Sequence, residues 1–141
     1  MKFDRRLTDE IYTSDTVRLG KNAFQAMRET IYHNGGVGTI TGYYDAELSI
    51  LSVSDLLLHN LNHSYASLME QTKGSLKNLF YKKDAAFLDN ARFRQIQGAG
   101  EGRILTADGS PVYVRLYKED AVDTDGTPIW VLSVRMNWAY E

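Results

Sequence analysis

The histidines are the first residues to consider for chemistry, because His59 and His63 are four residues apart. That spacing would place two imidazoles on one face of a continuous helix, where they could bind a metal ion. However, Asn60 and Asn62 indicate a break between two short helices, and no third ligand of a suitable type is spaced nearby. We therefore predict structural roles for both histidines and no metal site.

A general base is the second kind of chemistry that the sequence could support. Small cone-shaped α+β enzymes of the ketosteroid-isomerase type use a buried Asp or His in this role. His63 with Asp55 or Asp84 could be arranged in that way. No sequence motif joins these residues, so such an enzyme is the alternative function. The expected function is regulatory, without catalysis.

Nucleophilic and phosphate-binding motifs are missing from the sequence. It has no cysteine, which excludes disulfides, thiolate metal ligands and cysteine nucleophiles. This fits a cytoplasmic protein. No Gly-x-Ser-x-Gly motif is present either. The glycine-rich segment 98–102 lacks the Lys and Ser/Thr that complete a phosphate-binding loop, and it is predicted to be a flexible lead into a strand.

Length and charge restrict the classes of protein to which this chain could belong. A chain of 141 residues fits one domain. The formal net charge of −2 comes from 16 basic and 18 acidic residues that are interspersed along the chain. This balance argues against a nucleic-acid-binding surface. No apolar run approaches the length of about 18 residues that a membrane span requires.

The first predicted element is an amphipathic helix from Asp15 to His33. Three apolar side chains recur in it at helical spacing: Phe24, Met27 and Ile31. Asp15 is a candidate cap, and the glycine pair at 35–36 ends the helix. Because its apolar stripe is narrow, this helix must pack against the sheet of its own chain or against a partner.

Beyond the glycines the pattern changes to strands and short helices. The predicted elements are strands 37–44 and 48–52, short helices that open at Ser54 and Ser64, a longer helix over 84–97, and strands 101–106, 112–117 and 129–136. In the 112–117 strand, Tyr113 and Tyr117 share one face, and Val114 lies on the other. Strands and helices in separate runs indicate an α+β domain.

Three segments, in this order, resemble those of PAS domains. They are KGSLKNLFYKKDAAFLDN at 73–90, EGRILTADGSPVYVRLY at 101–117 and DTDGTPIWVLSVRMN at 123–137. The resemblance implies a five-stranded antiparallel sheet with short helices on one face and an N-terminal capping helix. It also implies that Asp84 caps the helix after it. The corresponding division is an N-terminal polar lead and amphipathic helix (1–34), a PAS domain (35–137) and a truncated exit linker (138–141).

The resemblance implies a sensory or interaction module of a signal-transduction protein, such as a two-component system. Such a module binds a small molecule or partner and relays the change to an output domain, for example a histidine kinase or a diguanylate cyclase. The ligand is unknown. The lack of cysteine excludes a covalent flavin and cysteine-linked chromophores, and the lack of histidine in 84–97 argues against haem. A non-covalently bound flavin stays open.

The expected ligand site lies between the sheet and the long helix. The candidate wall residues are Leu57, Leu61, Tyr65, Leu79, Phe87, Leu88, Ala91, Ile104, Val114 and Leu132. The alternative is that these side chains fill a dry core, which close packing slightly favours.

The second face of the sheet also carries apolar area, and the short helices can cover only one face. The first helix is its natural cover, from the same chain or from a partner. We therefore predict a homodimer in which these helices pack together or exchange. The candidate cap and dimer residues are Phe24, Met27, Ile31, Tyr113 and Tyr117.

Overall fold

The computed structural model describes residues 19–35 and 38–136, which form one antiparallel sheet with helices on both faces. The strand order is β2-β1-β5-β4-β3. The strands are β1 (Gly38–Tyr43), β2 (Ile50–Val53), β3 (Gly98–Leu105), β4 (Pro111–Val122) and β5 (Pro128–Met136). Every neighbouring pair is antiparallel. The predicted α+β class and five-stranded antiparallel sheet are confirmed.

The helices form two layers around this sheet. They are α1 (Lys21–Asn34), α2 (Asp55–Asn60), α3 (Tyr65–Thr72) and α4 (Asn90–Gln95), with 3-10 helices at Leu76–Asn78 and Lys82–Leu88. As predicted, α2 and α3 begin at serines: the side chains of Ser54 and Ser64 each accept a hydrogen bond from a backbone N–H three residues on. In the part of the chain that the structure describes, no helix is long and apolar enough to cross a membrane.

The start of α1 differs from the prediction. The helix begins at Lys21, and Gly20 stands at its N-cap without a side-chain hydrogen bond. The predicted cap Asp15 lies outside the described residues. The predicted stop is present, because Gly35 adopts a left-handed conformation with φ 61° and its N–H bonds to the carbonyl of Ile31.

The predicted long helix over 84–97 is wrong. The chain forms the 3-10 helix Lys82–Leu88, and then Asp89 takes an extended conformation and caps the short helix α4 by accepting a hydrogen bond from the Arg92 N–H. Such a side chain competes with continued helix by binding the local backbone. The predicted capping role of Asp84 is also wrong, since its carboxylate binds Arg103.

The glycine-rich segment 98–102 is part of β3 rather than a flexible lead. Gly98 pairs with Lys118, and the ladder runs without interruption to the pair Leu105 and Pro111. Glycine is a poor strand former, but the backbone hydrogen bonds of a long neighbouring strand outweigh that preference.

Two apolar cores lie on opposite faces of the sheet. The inner core lies between the sheet and the helices that follow β2. The outer core lies under α1, where Ala23 and Met27 pack with Ile129 and Val131. Residues 129 and 131 face outward while Trp130 and Leu132 belong to the inner core, as strand alternation requires. Helix α1 therefore covers the second face of its own sheet.

Candidate functional site

A partly enclosed apolar cavity of about 260 Å³ lies on the inner face of the sheet. Phe93 of α4 and Ile96, just after it, form one side. Leu116 of β4 and Leu132 of β5 form the other, and Phe80 and Lys118 complete the lining. The short helix α4 and the centre of the sheet thus position the site.

Two glycines of β3 border this space, Gly98 and Gly100. Gly100 pairs with Leu116 and Gly102 with Val114, whose side chains are buried in the inner core. Directly paired residues share a face of the sheet, so both glycines leave the inner face without a side chain. A Cβ atom added at Gly102 would lie 3.2 Å from the Phe80 ring, whereas one added at Gly100 would meet no atom within 4 Å.

The glycines of β1 have the opposite surroundings. A Cβ atom at Gly38 would lie 2.6 Å from the Cβ of Leu57, and one at Gly42 would lie 2.1 Å from the indole of Trp130. Here the missing side chains allow α2 and Trp130 to pack directly on the strand. The inner face is therefore filled over β1 and open over Gly100.

Lys118 is a charged residue of the cavity wall, and only 1% of it is exposed. Its Nζ donates to the Ile96 carbonyl at 2.9 Å and to Asp120 Oδ1 at 3.0 Å. It also lies 5.1 Å from the ring centroids of Phe93 and Tyr44, a distance at which ring faces attract a cation. The buried ammonium is thus held by one carbonyl, one carboxylate and two aromatic rings.

Asp120 connects this ammonium to the protein surface. It accepts hydrogen bonds from Lys118, from the Tyr44 hydroxyl and from Gln97 Nε2 at 2.8 Å. Although partial burial opposes ionisation, the bonds from Tyr44 and Lys118 lower the pKa of Asp120. Burial and the bond to Asp120 raise the pKa of Tyr44. Asp120 is therefore a carboxylate at neutral pH, and Tyr44 keeps its proton.

Burial lowers the pKa of Lys118, and the neighbouring Asp120 carboxylate opposes that effect. An ammonium has three N–H donors, of which two have acceptors among the described residues. Chemically, the site combines an apolar chamber with one strong hydrogen-bond donor. That combination suits recognition of a small molecule.

The arrangement of strands and helices matches a known structure. The PAS domain of an HTR-like protein from Haloarcula marismortui aligns with a TM-score of 0.57 over 81% of this chain and 97% of that chain, at 16% sequence identity. The fold is that of a PAS domain. The sequence itself matches no protein-family model and no curated protein.

Within the PAS fold, the predicted wall residues divide into several groups. Leu132 lines the cavity. Tyr65 is partly buried against the inner core, Ala91 is exposed on α4, and the side chain of Phe87 lies outside the described part of the chain. The others are buried in the inner core: Leu57, Leu61, Leu79, Leu88, Ile104 and Val114.

The predicted cap residues lie on or near the outer face. Met27 is buried under α1, and Phe24 packs against the same core. Ile31 and Tyr117 are partly buried; the Tyr117 ring stacks on His33 with centroids 4.8 Å apart. Tyr113 is 42% exposed.

Sequence reasoning missed the polar part of the cavity. Lys118 continues the two-residue period of Val112, Val114 and Leu116, so a signal was present: a lysine in phase with buried residues. The open space over Gly100 had a weaker signal, since a glycine on the inner face of a strand can be filled by a neighbour, as at Gly42.

The residues considered for catalysis have separate surroundings in this fold. The Nδ1 of His63 lies 2.7 Å from the Ser67 hydroxyl, and burial lowers the pKa of this imidazole. Asp84 forms a two-point ion pair with Arg103, at 2.8 and 2.7 Å. His59 is exposed, and no cluster of three potential metal ligands occurs among the described residues.

Proposed function

We propose that this PAS domain is a sensory module that binds a small, mainly apolar molecule in the cavity beside Lys118. The observation that carries the proposal is the space of about 260 Å³ next to Gly100, Phe93 and Leu132. Protein interiors are normally packed without such voids. A cavity of about 150 Å³ accommodates benzene, so by scaling this one accommodates a ligand of about ten non-hydrogen atoms.

The proposed relay runs from the cavity through the sheet. Lys118 and Asp120 of β4 hold the end of α4 through the carbonyl of Ile96 and the amide of Gln97. On the opposite face, β4 and β5 carry α1, where Asn34 donates to backbone carbonyls of both strands. A ligand that favours one position of α4 would shift the population of states that α1 and the chain ends report.

The output domain that this module would regulate is also part of the proposal. By analogy with PAS domains, we propose an output domain such as a histidine kinase or a diguanylate cyclase, in the same protein or in a partner. Regulation rather than catalysis is the function that this fold typically serves, and the separate surroundings of His63 and Asp84 support that assignment.

The test is native mass spectrometry of the purified protein, compared with the same sample under denaturing conditions. We expect a non-covalent mass that disappears on denaturation. A Gly100→Leu variant places a side chain in the cavity and should abolish the adduct, while Gly100→Ala, which meets no neighbour, should keep much of it. A wild-type protein without any adduct from several expression conditions, and with no affinity for cavity-sized probes, would contradict the proposal.

We also propose that the domain works as a homodimer, with a contact surface different from the predicted one. Met27 is 1% exposed and packs on the sheet of its own chain, so the buried stripe of α1 is already occupied. The outward side of α1 carries Tyr32, which is 82% exposed. A dimer contact through α1 would therefore use this outward side.

A further inference from the structure

We infer that the ligand of this cavity carries one uncharged carbonyl-type hydrogen-bond acceptor, and that Lys118 donates to it. This inference rests on the proposed function, because it specifies the class of molecule that the same cavity binds. It does not concern the output domain.

The donor count of Lys118 is the first argument. Its ammonium has three N–H groups, and the described residues supply acceptors for two of them, the Ile96 carbonyl and Asp120. Among the residues that the structure describes, the third N–H has no hydrogen-bond acceptor, and the ring centroids of Tyr44 and Phe93 each lie 5.1 Å from the Nζ atom. A buried donor without an acceptor is costly, and more so when it is charged, so a ligand acceptor has a free energy advantage here.

The shape and polarity of the chamber are the second argument. Apart from Lys118, the side chains that face the space are apolar or aromatic: Phe80, Phe93, Ile96, Leu116 and Leu132. Such walls favour a compact ring system with few polar atoms. One polar atom, placed toward Lys118, satisfies the site.

The charge balance decides between a neutral carbonyl and a carboxylate. Asp120 already lies 3.0 Å from Lys118 and compensates its charge. A second cation, Arg94, has its guanidinium 4.4 Å from the centroid of the Tyr44 ring and is exposed on α4. An anionic ligand would place a second negative charge beside Asp120 in apolar surroundings, which is unfavourable.

The experiment uses three probes of nearly equal shape: indane, 1-indanone and indane-1-carboxylate. Each is titrated calorimetrically into wild-type protein that native mass spectrometry shows to be free of adducts. We expect 1-indanone to bind about tenfold more tightly than indane, the ratio that a hydrogen bond from a charged donor provides. Indane-1-carboxylate should bind more weakly than 1-indanone.

Two variants connect the preference to the charged groups. Lys118→Met keeps an unbranched apolar chain but removes the donor, so indane should still bind and the preference for 1-indanone should disappear. Asp120→Asn keeps Lys118 and removes the compensating charge, so the carboxylate should gain affinity relative to 1-indanone. If indane still binds to a variant, the cavity of that variant is intact.

The outcomes separate this inference from the proposed function. If Gly100→Leu blocks all three probes but the wild-type protein binds indane and 1-indanone equally, the cavity is a ligand site and the assigned ligand class is wrong. If indane-1-carboxylate binds most tightly of the three probes, the assigned ligand class is also wrong. If no probe binds the wild-type protein, the inference fails, and the proposed function depends on the mass of a co-purified ligand alone.

Discussion

Lys118 and Arg103 are basic residues on neighbouring strands, and each is paired with an acidic side chain, but their roles differ. Lys118 is almost completely buried, and its partner Asp120 has a side chain that is 46% exposed. Arg103 lies at the surface against Tyr81 and Tyr113, with its guanidinium 4.5 and 5.5 Å from their ring centroids. The buried ammonium faces a cavity and is suited to recognition, while the surface guanidinium fixes the 3-10 helix to β3.

The ion pair of Asp84 and Arg103 gives the first residue-scale prediction. The hydrogen bonds from Arg103 lower the pKa of Asp84, so its ionised form stabilises the folded state above the unfolded pKa, near 4. That contribution is lost as the pH falls through the lower folded pKa. We therefore expect Asp84→Asn to lower the midpoint of thermal unfolding at pH 7, and the difference from wild type to shrink below about pH 4.

Thermal unfolding followed by circular dichroism between pH 2.5 and 7 measures this difference. The control is Glu101→Gln, which removes an exposed carboxylate from the same strand as Arg103. A difference between wild type and Asp84→Asn that stays constant over the whole pH range would show that the ion pair does not stabilise the fold.

At the scale of elements, Gly42 of β1 and Gly100 of β3 have opposite surroundings: neighbouring atoms fill the side-chain position at Gly42, and that position is open at Gly100. Gly42 has the Trp130 indole and the Ser49 carbonyl where its side chain would be, at 2.1 and 2.3 Å from an added Cβ. Gly100 has open space there and no left-handed backbone. We expect Gly42→Ala to reduce the free energy of unfolding by about 3 kcal/mol or more, because rigid neighbours must move.

Gly100→Ala is the matched variant on the other strand. It should leave the free energy of unfolding unchanged or raise it by about 0.5 kcal/mol, since alanine restricts the unfolded chain and fits the native backbone. Chemical denaturation of both variants measures the two effects. Equal losses at the two positions would mean that the space over Gly100 is filled in solution, and the cavity would then be absent.

The same elements show which parts of the fold could be predicted from the sequence. The strand with Val112, Val114 and Leu116 has a clear two-residue period, and the apolar strand from Ile129 follows a strong turn. Both strands were predicted, although the first continues to Val122 rather than ending at 117. The predicted helix over 84–97 failed because its apolar spacing does not reveal that Asp89 interrupts the backbone. Register between distant segments, which brings Lys118 next to Ile96 and Asp120 next to Tyr44, has no local signal in the sequence.

At the scale of the whole molecule, a single sheet separates two cores of different character. The inner core contains the large side chains, among them Trp130 and Phe93, whose rings meet edge to face with centroids 5.7 Å apart. The outer interface contains small and polar residues as well: Ser133 donates to the Thr30 carbonyl, and Asn34 donates to carbonyls of β4 and β5. Such directional bonds fix the position of α1 on the sheet.

The outward side of α1 leads to the prediction for the assembled molecule. Tyr32 is the most exposed large apolar residue of the described chain, and its ring contacts His33, which stacks on Tyr117. Exposed aromatic residues are enriched at protein interfaces. If the proposed homodimer forms through this side, Tyr32→Asp should weaken dimerisation about tenfold or more without unfolding the domain, because the residue contributes little to either core.

Sedimentation velocity over a range of protein concentrations measures the dimerisation constant. Leu56→Asp is the matched control: it also removes a large exposed apolar residue, 49% exposed, but from α2 on the opposite face of the sheet. A wild-type protein that stays monomeric at high concentration would refute the homodimer. Equal weakening by both variants would mean that the effect of Tyr32→Asp does not come from a contact through α1. An effect of Tyr32→Asp alone would connect the dimer contact to the helix that β4 and β5 hold, and so to the strands that line the cavity.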